Sequence, residues 1–146
     1  MNKIILLILI LSFQVNLYSA NHIVKMLNQG AEGVMIFEPA ILKINPGDSV
    51  TFKSIDAAHN SASITSMIPN NAQAWNSDLS RDITVEFNIP GVYVYQCTPH
   101  VMMAMVGVIQ VGNDKSNLDT IKKAATQFKS VFVMNQSRLD DYLSKI

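Results

Sequence analysis

The chain of 146 residues carries 11 basic and 11 acidic side chains, with three histidines, eight methionines and one cysteine. That balance excludes a basic stripe for nucleic acid and a like-charge block of the kind that makes a disordered tail. With 49% hydrophobic residues, there is enough apolar surface for one domain with its own core after an N-terminal leader is set aside.

The leader is read from Asn2 and Lys3 ahead of an apolar run, Ile4 to Phe13, and then Leu17-Tyr-Ser-Ala20. The run is too short to span a bilayer and apolar all round, whereas a surface helix packed on a core would keep a polar face. Small residues close it, so residues 1–20 read as a secretory signal peptide cleaved after Ser19 or Ala20. No cysteine stands near that point to take a lipid. The mature chain is expected to be exported and soluble, without a membrane anchor.

From Asn21 onward, short β-rich runs alternate with turn residues. His22 to Leu27 ends at Asn28-Gln-Gly30, and Val34 to Phe37 stops at Glu38-Pro39. Ile41 to Ile44 leads into Asn45-Pro-Gly-Asp48, where Pro and Gly stand in turn order. Ser49-Val-Thr-Phe-Lys53 and Ile83-Thr-Val-Glu-Phe87 alternate apolar and polar, as half-buried strands do. His59 to Ile64 is a further expected strand, and Pro69 to Asp78 a loop carrying Trp75. Pro90-Gly91 turns the chain into Val92-Tyr-Val-Tyr-Gln96, and Val106 to Val111 closes the set. About seven or eight strands at this spacing predict a mainly β fold, a Greek-key antiparallel β-sandwich over residues 21–112.

Residues 113–146 have a different period. Leu118, Ile121, Ala125 and Phe128 fall on one helical face, with Ser116 or Asn117 as the N-cap. A second helix is expected over Val131–Ile146, with Val131, Met134, Leu139, Tyr142 and Leu143 as its contacts. Two C-terminal α-helices of this kind would cover an open face or edge of the sandwich.

Cys97 ends the Val92–Gln96 run, His100 and Met105 lie on the loop before the closing strand, and His59 stands far upstream. Alone, each has an ordinary explanation: a lone cysteine packs, a histidine sits satisfied at the surface, and Met102, Met103 and Met105 fill gaps. An unpaired cysteine in an exported chain has no disulfide partner, and its neighbours here are an imidazole and a thioether. One thiolate, two imidazoles and a weakly held thioether are the ligand set of a blue-copper electron-transfer site. His59, Cys97, His100 and Met105 are therefore the candidate metal ligands for one type 1 copper per chain, cycling between Cu(I) and Cu(II). Pro99, lacking an N–H, limits the hydrogen bonds that reach the thiolate. Asn60 is placed to clasp Thr98, and its backbone N–H to reach the Cys97 sulfur. His22, third from a terminus freed after Ser19, could bind Cu(II) through the amine, but an exposed histidine at a strand start is the preferred reading. Trp75 and the tyrosines read as packing, with Tyr93 a candidate tyrosine corner.

At these residues the chain resembles the cupredoxins and, within them, the pseudoazurins. The resemblance runs through Met26-Leu-Asn28, Phe37-Glu-Pro39, Pro46-Gly-Asp48, His59-Asn60, Met67-Ile-Pro69, Pro90-Gly-Val-Tyr93, Cys97-Thr-Pro-His100, Met105-Val-Gly107 and Gln110-Val-Gly112. The Cys-x-x-His-x4-Met loop is shared with plastocyanin, but the helical tail is not. The resemblance implies His59, Cys97, His100 and Met105 as copper ligands, with Met105 axial and weak, and Met35 close to His100. It also implies a periplasmic electron shuttle serving a copper nitrite reductase or another periplasmic reductase; a cytochrome-type donor and a monomeric state are the expectations for this chain. Electrons would leave through the edge of His100 within a ring of Pro99, Met35, Ala58 and Ala104. Two departures stand out. Lysines that usually surround that patch are replaced by Gln29, Ala31, Ala57 and Gln96, and Ala104 takes the place of a glycine.

An enzyme of the multicopper oxidase or copper nitrite reductase kind would need a second, histidine-rich centre, which three histidines cannot build beside the first. An alternative to the electron carrier is a periplasmic copper-binding carrier protein, for which Met102, Met103 and Met105 would be the exposed ligands. A metal-free interaction domain would have lost a ligand, and all four are present.

Overall fold

The computed structural model describes residues 19–146, so the signal-peptide reading falls, but for Ser19 and Ala20, outside the described residues. Eight strands form two four-stranded sheets. One has the order β2 (Gly33–Glu38), β1 (Asn21–Gly30), β4 (Asp48–Ser54), β6 (Ile83–Phe87); the other has β3 (Ile41–Ile44), β8 (Val106–Val111), β7 (Gly91–Gln96), β5 (Ala62–Ser63). The sheets are mixed rather than purely antiparallel: β1 runs parallel to β4 and β3 parallel to β8. The cause lies at Glu38-Pro39-Ala40. Pro39 offers no N–H to continue the ladder, so the strand ends and the chain steps to the other sheet in the same direction. The turn at Asn45–Asp48 then reverses it, and β4 runs the way β1 does.

The apolar run Val92-Tyr-Val-Tyr is continuous because β7 is buried on both faces. Tyr93, Tyr95 and Cys97 point between the sheets, against Phe37, Phe52, Trp75 and Phe87. Val92 and Val94 point outward and pack under Ile121, Ala125, Leu139 and Leu143 of the C-terminal helices. Each large side chain buried in this way contributes roughly 1.5–3 kcal/mol. Tyr93 makes the expected corner, its hydroxyl donating to the Ile89 carbonyl at 2.6 Å. Trp75 stacks on Phe52 and donates its indole N–H to Ser61 Oγ at 2.9 Å, so it is core despite sitting in a loop. The strand expected over His59–Ile64 shortens to Ala62–Ser63.

Helix α1 spans Leu118–Phe128 and buries Ile121 and Ala125, as its period predicts. Asn117 occupies the cap position without capping, because its amide pairs with both backbone groups of Val92 at 3.0 and 2.8 Å. The second helix differs from expectation. It covers only Arg138–Leu143, and of its expected contacts Leu139, Tyr142 and Leu143 are buried whereas Val131 and Met134 are exposed. Phe132 anchors against Phe128, the Val133 and Met134 amides donate to the Met102 carbonyl, and Asn135 has a positive φ of 49°. A helix cannot run through that sequence of demands. Both helices cover the outer face of the β3-β8-β7-β5 sheet.

Candidate metal centre

The period of β7 brings Cys97 to the inner side of the sandwich, fully buried at its end. The chain then tightens into a 3-10 turn over Thr98–Met103, started by Pro99, and leaves it through Ala104 at φ 55°. The loop closes on itself: Cys97 N–H donates to the Met105 carbonyl at 2.9 Å, Met105 N–H to the His100 carbonyl at 3.3 Å, and His100 N–H to the Cys97 carbonyl at 3.2 Å. His59 arrives from the other sheet's connection, after Ala58 at φ 66°, and is fully buried.

Three donors converge there. His59 Nδ1 and His100 Nδ1 lie 3.1 Å apart, and Cys97 Sγ lies 3.7 Å from the first and 3.4 Å from the second. For metal–nitrogen bonds of about 2.0 Å and a metal–sulfur bond of about 2.3 Å, the donor edges of a tetrahedral to trigonal site are about 3.3–3.7 Å. The triangle is thus already of the size that an ion needs, and one soft sulfur with two imidazoles suits copper. Met105 is fully buried in the same cluster as Cys97, which Met35 packs against. His22, by contrast, sits 2.9 Å from the Asp48 carboxylate and takes no part in the donor cluster.

The surroundings set the protonation that such a site needs. His59 Nε2 is 3.0 Å from Asn28 Oδ1, which can only accept, so the ring proton belongs on Nε2 and the Nδ1 lone pair faces the cysteine. Burial, then the neighbouring His100, lowers the His59 pKa and keeps the ring neutral, against the opposing pull of Asp56. Burial raises the Cys97 pKa, while the backbone N–H groups of Asn60 and His100 donate to the sulfur and favour the thiolate. A metal bound here would displace the thiol proton. Asn60 clasps the two ligand segments as expected: its Oδ1 accepts from Thr98 N–H at 2.7 Å and its Nδ2 donates to Thr98 Oγ1 at 3.2 Å. Asn28 was not legible, because an Asn ahead of Gln-Gly reads as a turn residue and nothing in sequence pairs it with His59. The buried Asp48 and Arg138 were missed for the same reason.

His100 is the partly exposed donor, between exposed Pro99, Ala57, Ala58 and Met102. Among the described residues no helix is long and apolar enough to cross a membrane.

Residues 24–112 match the family model for copper binding proteins of the plastocyanin/azurin family. The pseudoazurin of Paracoccus pantotrophus is 36% identical over 129 residues, 88% of this chain and 86% of that protein. The crystal structure of pseudoazurin from Methylobacterium extorquens AM1 superposes with a TM-score of 0.75 at 36% identity, covering 86% of this chain and 98% of that one. Native pseudoazurin from Hyphomicrobium denitrificans gives 0.77 at 32% identity over the same shares. By these matches, which run through most of both chains, the chain belongs to the pseudoazurins, blue copper electron carriers of the plastocyanin/azurin family and not enzymes.

Proposed function

We propose that His59, Cys97, His100 and Met105 would hold one copper ion, with the Met105 thioether as the weakly held ligand, and that the protein shuttles single electrons in the periplasm. When bound, copper supplies a Cu(I)/Cu(II) couple. The observation that carries this reading is the donor triangle, whose edges of 3.1, 3.4 and 3.7 Å match a metal's own. Donors fixed before the ion arrives move little when its charge changes, which keeps electron transfer fast.

The residues divide the work. His59 and Cys97, sealed from water, keep the site dry. His100 brings one donor to the surface, so its ring edge is the path by which an electron leaves. Exposed Pro99, Ala58 and Met102 around it form an apolar rim suited to the small, transient docking typical of redox encounters. The donor is of cytochrome type, and the acceptor is a copper nitrite reductase or a similar periplasmic reductase. The leader-like residues 1–20 support export to that compartment, with the chain acting as a monomer.

A visible spectrum after Cu(II) addition, beside a Cys97→Ala variant, tests the site. An intense blue or green band that bleaches on reduction and is abolished in the variant is the expected result. A colourless protein would remove the electron-transfer reading and leave a copper carrier. Reduced protein mixed with a copper nitrite reductase should be reoxidised in the presence of nitrite, and cell fractionation should find it in the periplasm.

A further inference from the structure

Arg138 is a buried cation with no ion pair among the described residues. Its guanidinium is satisfied by carbonyl groups instead. Nη1 donates to Met35 O at 3.0 Å, Ala104 O at 3.1 Å and Met103 O at 3.5 Å, and Nη2 to Val34 O at 3.3 Å. The segment leading to Arg138 holds the same loop: the Val133 and Met134 amides donate to Met102 O at 2.8 and 3.3 Å, and Asn135 Nδ2 to Met103 O at 3.3 Å. Every carbonyl from Met102 to Ala104 is thereby held from outside the loop, immediately ahead of Met105.

Two of the residues so held have left-handed backbones that L-residues resist, Met35 at φ 48° and Ala104 at φ 55°. Arg138 ties their carbonyls to one planar fork, a geometry that a lysine cannot reproduce. We propose that Arg138 is a positioning residue of the copper site, its guanidinium joining the Met35 and Ala104 carbonyls so that the C-terminal helix fixes where Met105 stands. This rests on the proposed reading of Met105 as the weakly held copper ligand. Its thioether is the weak ligand, so a small backbone shift there changes the balance between the oxidation states more than a shift at a strongly held donor.

The test compares Arg138→Met and Arg138→Lys with the unsubstituted protein. Copper-loaded forms are read by visible and electron paramagnetic resonance spectra and by voltammetry, and copper-free forms by amide hydrogen exchange. In both variants the ratio of the visible bands should move. In Arg138→Met the ratio of Cu(I) to Cu(II) affinity should change about tenfold, about 59 mV for one electron, and less in Arg138→Lys. In copper-free protein the Ala104 and Met105 amides should exchange about tenfold faster relative to those of β4 and β8. Variants that melt earlier but keep spectrum, potential and relative exchange would make Arg138 a structural tie alone and overturn the proposal. Should Arg138→Met fail to fold, Arg138→Lys, which keeps the charge and the stem, decides by the same readings. An unsubstituted protein without the thiolate band would sink the copper reading itself, while exchange in the copper-free protein still judges the clamp.

Discussion

In the donor set proposed for copper, His59 and Cys97 form one half, and His100 and Met105 the other. The first half is fully buried, with Asn28 behind the imidazole and Asn60 joining the two segments. The second half pairs the equally buried Met105 with His100, where the turn opens to solvent, and depends on the C-terminal segment for its outer carbonyls. The difference separates two tasks. On the proposed reading, His59 and Cys97 would define which ion is held and keep water out, whereas His100 would bring the ion's edge to a partner and Met105 would adjust its potential. Substitutions behind the first half should therefore change stability and affinity, and those behind the second should change spectrum and potential.

The largest effect expected on the buried side is at Asn60. Asn60→Ala removes the bonds to Thr98 N–H, Thr98 Oγ1 and Asn76 Oδ1. It leaves the Thr98 amide without its partner, and the loss should be about 2–4 kcal/mol. Urea denaturation of copper-free protein measures it, and a loss under about 1 kcal/mol would mean that the clasp is dispensable.

Asn28→Ala should act on affinity rather than on folding. Asn28 is exposed, so little packing is lost, but His59 loses the acceptor that holds its proton on Nε2. Copper affinity should fall by about 10–100-fold, read by competition with a chelator. An unchanged affinity would show that burial alone orients the ring.

Acid should weaken the copper-free fold in two steps of the same sign. Burial lowers the His59 pKa below its ordinary value of 6.5, so the unfolded chain binds more protons there and stability falls as pH drops below that value. Hydrogen bonds from the Ala20 amide, His22 and the Asn45 amide lower the Asp48 pKa below 3.8. Its contribution is present above that value and is lost as pH falls through the folded-state pKa. Thermal melts at stepped pH check both: Asp48→Asn should flatten the lower step and leave the upper one.

Much of this was legible because strand period and ligand chemistry are local. Alternation in Ser49–Lys53 placed Val50 and Phe52 inside, and Cys97, His100 and Met105 announced themselves by residue type within one loop. What failed depended on contacts across the fold. Val131–Gln136 has residues a helix accepts, but Phe132 and the Met102 carbonyl claim that backbone first. Asn28, Asp48 and Arg138 are polar residues whose roles come entirely from partners distant in sequence. The parallel strand pairs likewise follow from one proline at a sheet crossing.

The smallest expected effect is the response of electron transfer to salt, and it bears on the exposed half. Between Lys53 and Lys115 the only basic residue is Arg81, and Lys53 itself lies 3.7 Å from Asp82. Asp56, whose carboxylate accepts from the Asn28 amide, adds negative charge beside His59. A face with so little positive field cannot steer an acidic partner over distance. Raising ionic strength from 0.01 to 1 M shortens the screening length from about 30 to about 3 Å, yet the bimolecular rate with an acidic reductase should change by no more than about twofold. Stopped-flow measurements across that range check it. Ala57→Lys with Gln29→Lys should raise the rate at low salt and restore a steep decline. If the unsubstituted protein already shows that decline, attraction must come from charge elsewhere on the molecule, and the apolar rim around His100 would not be what selects the partner.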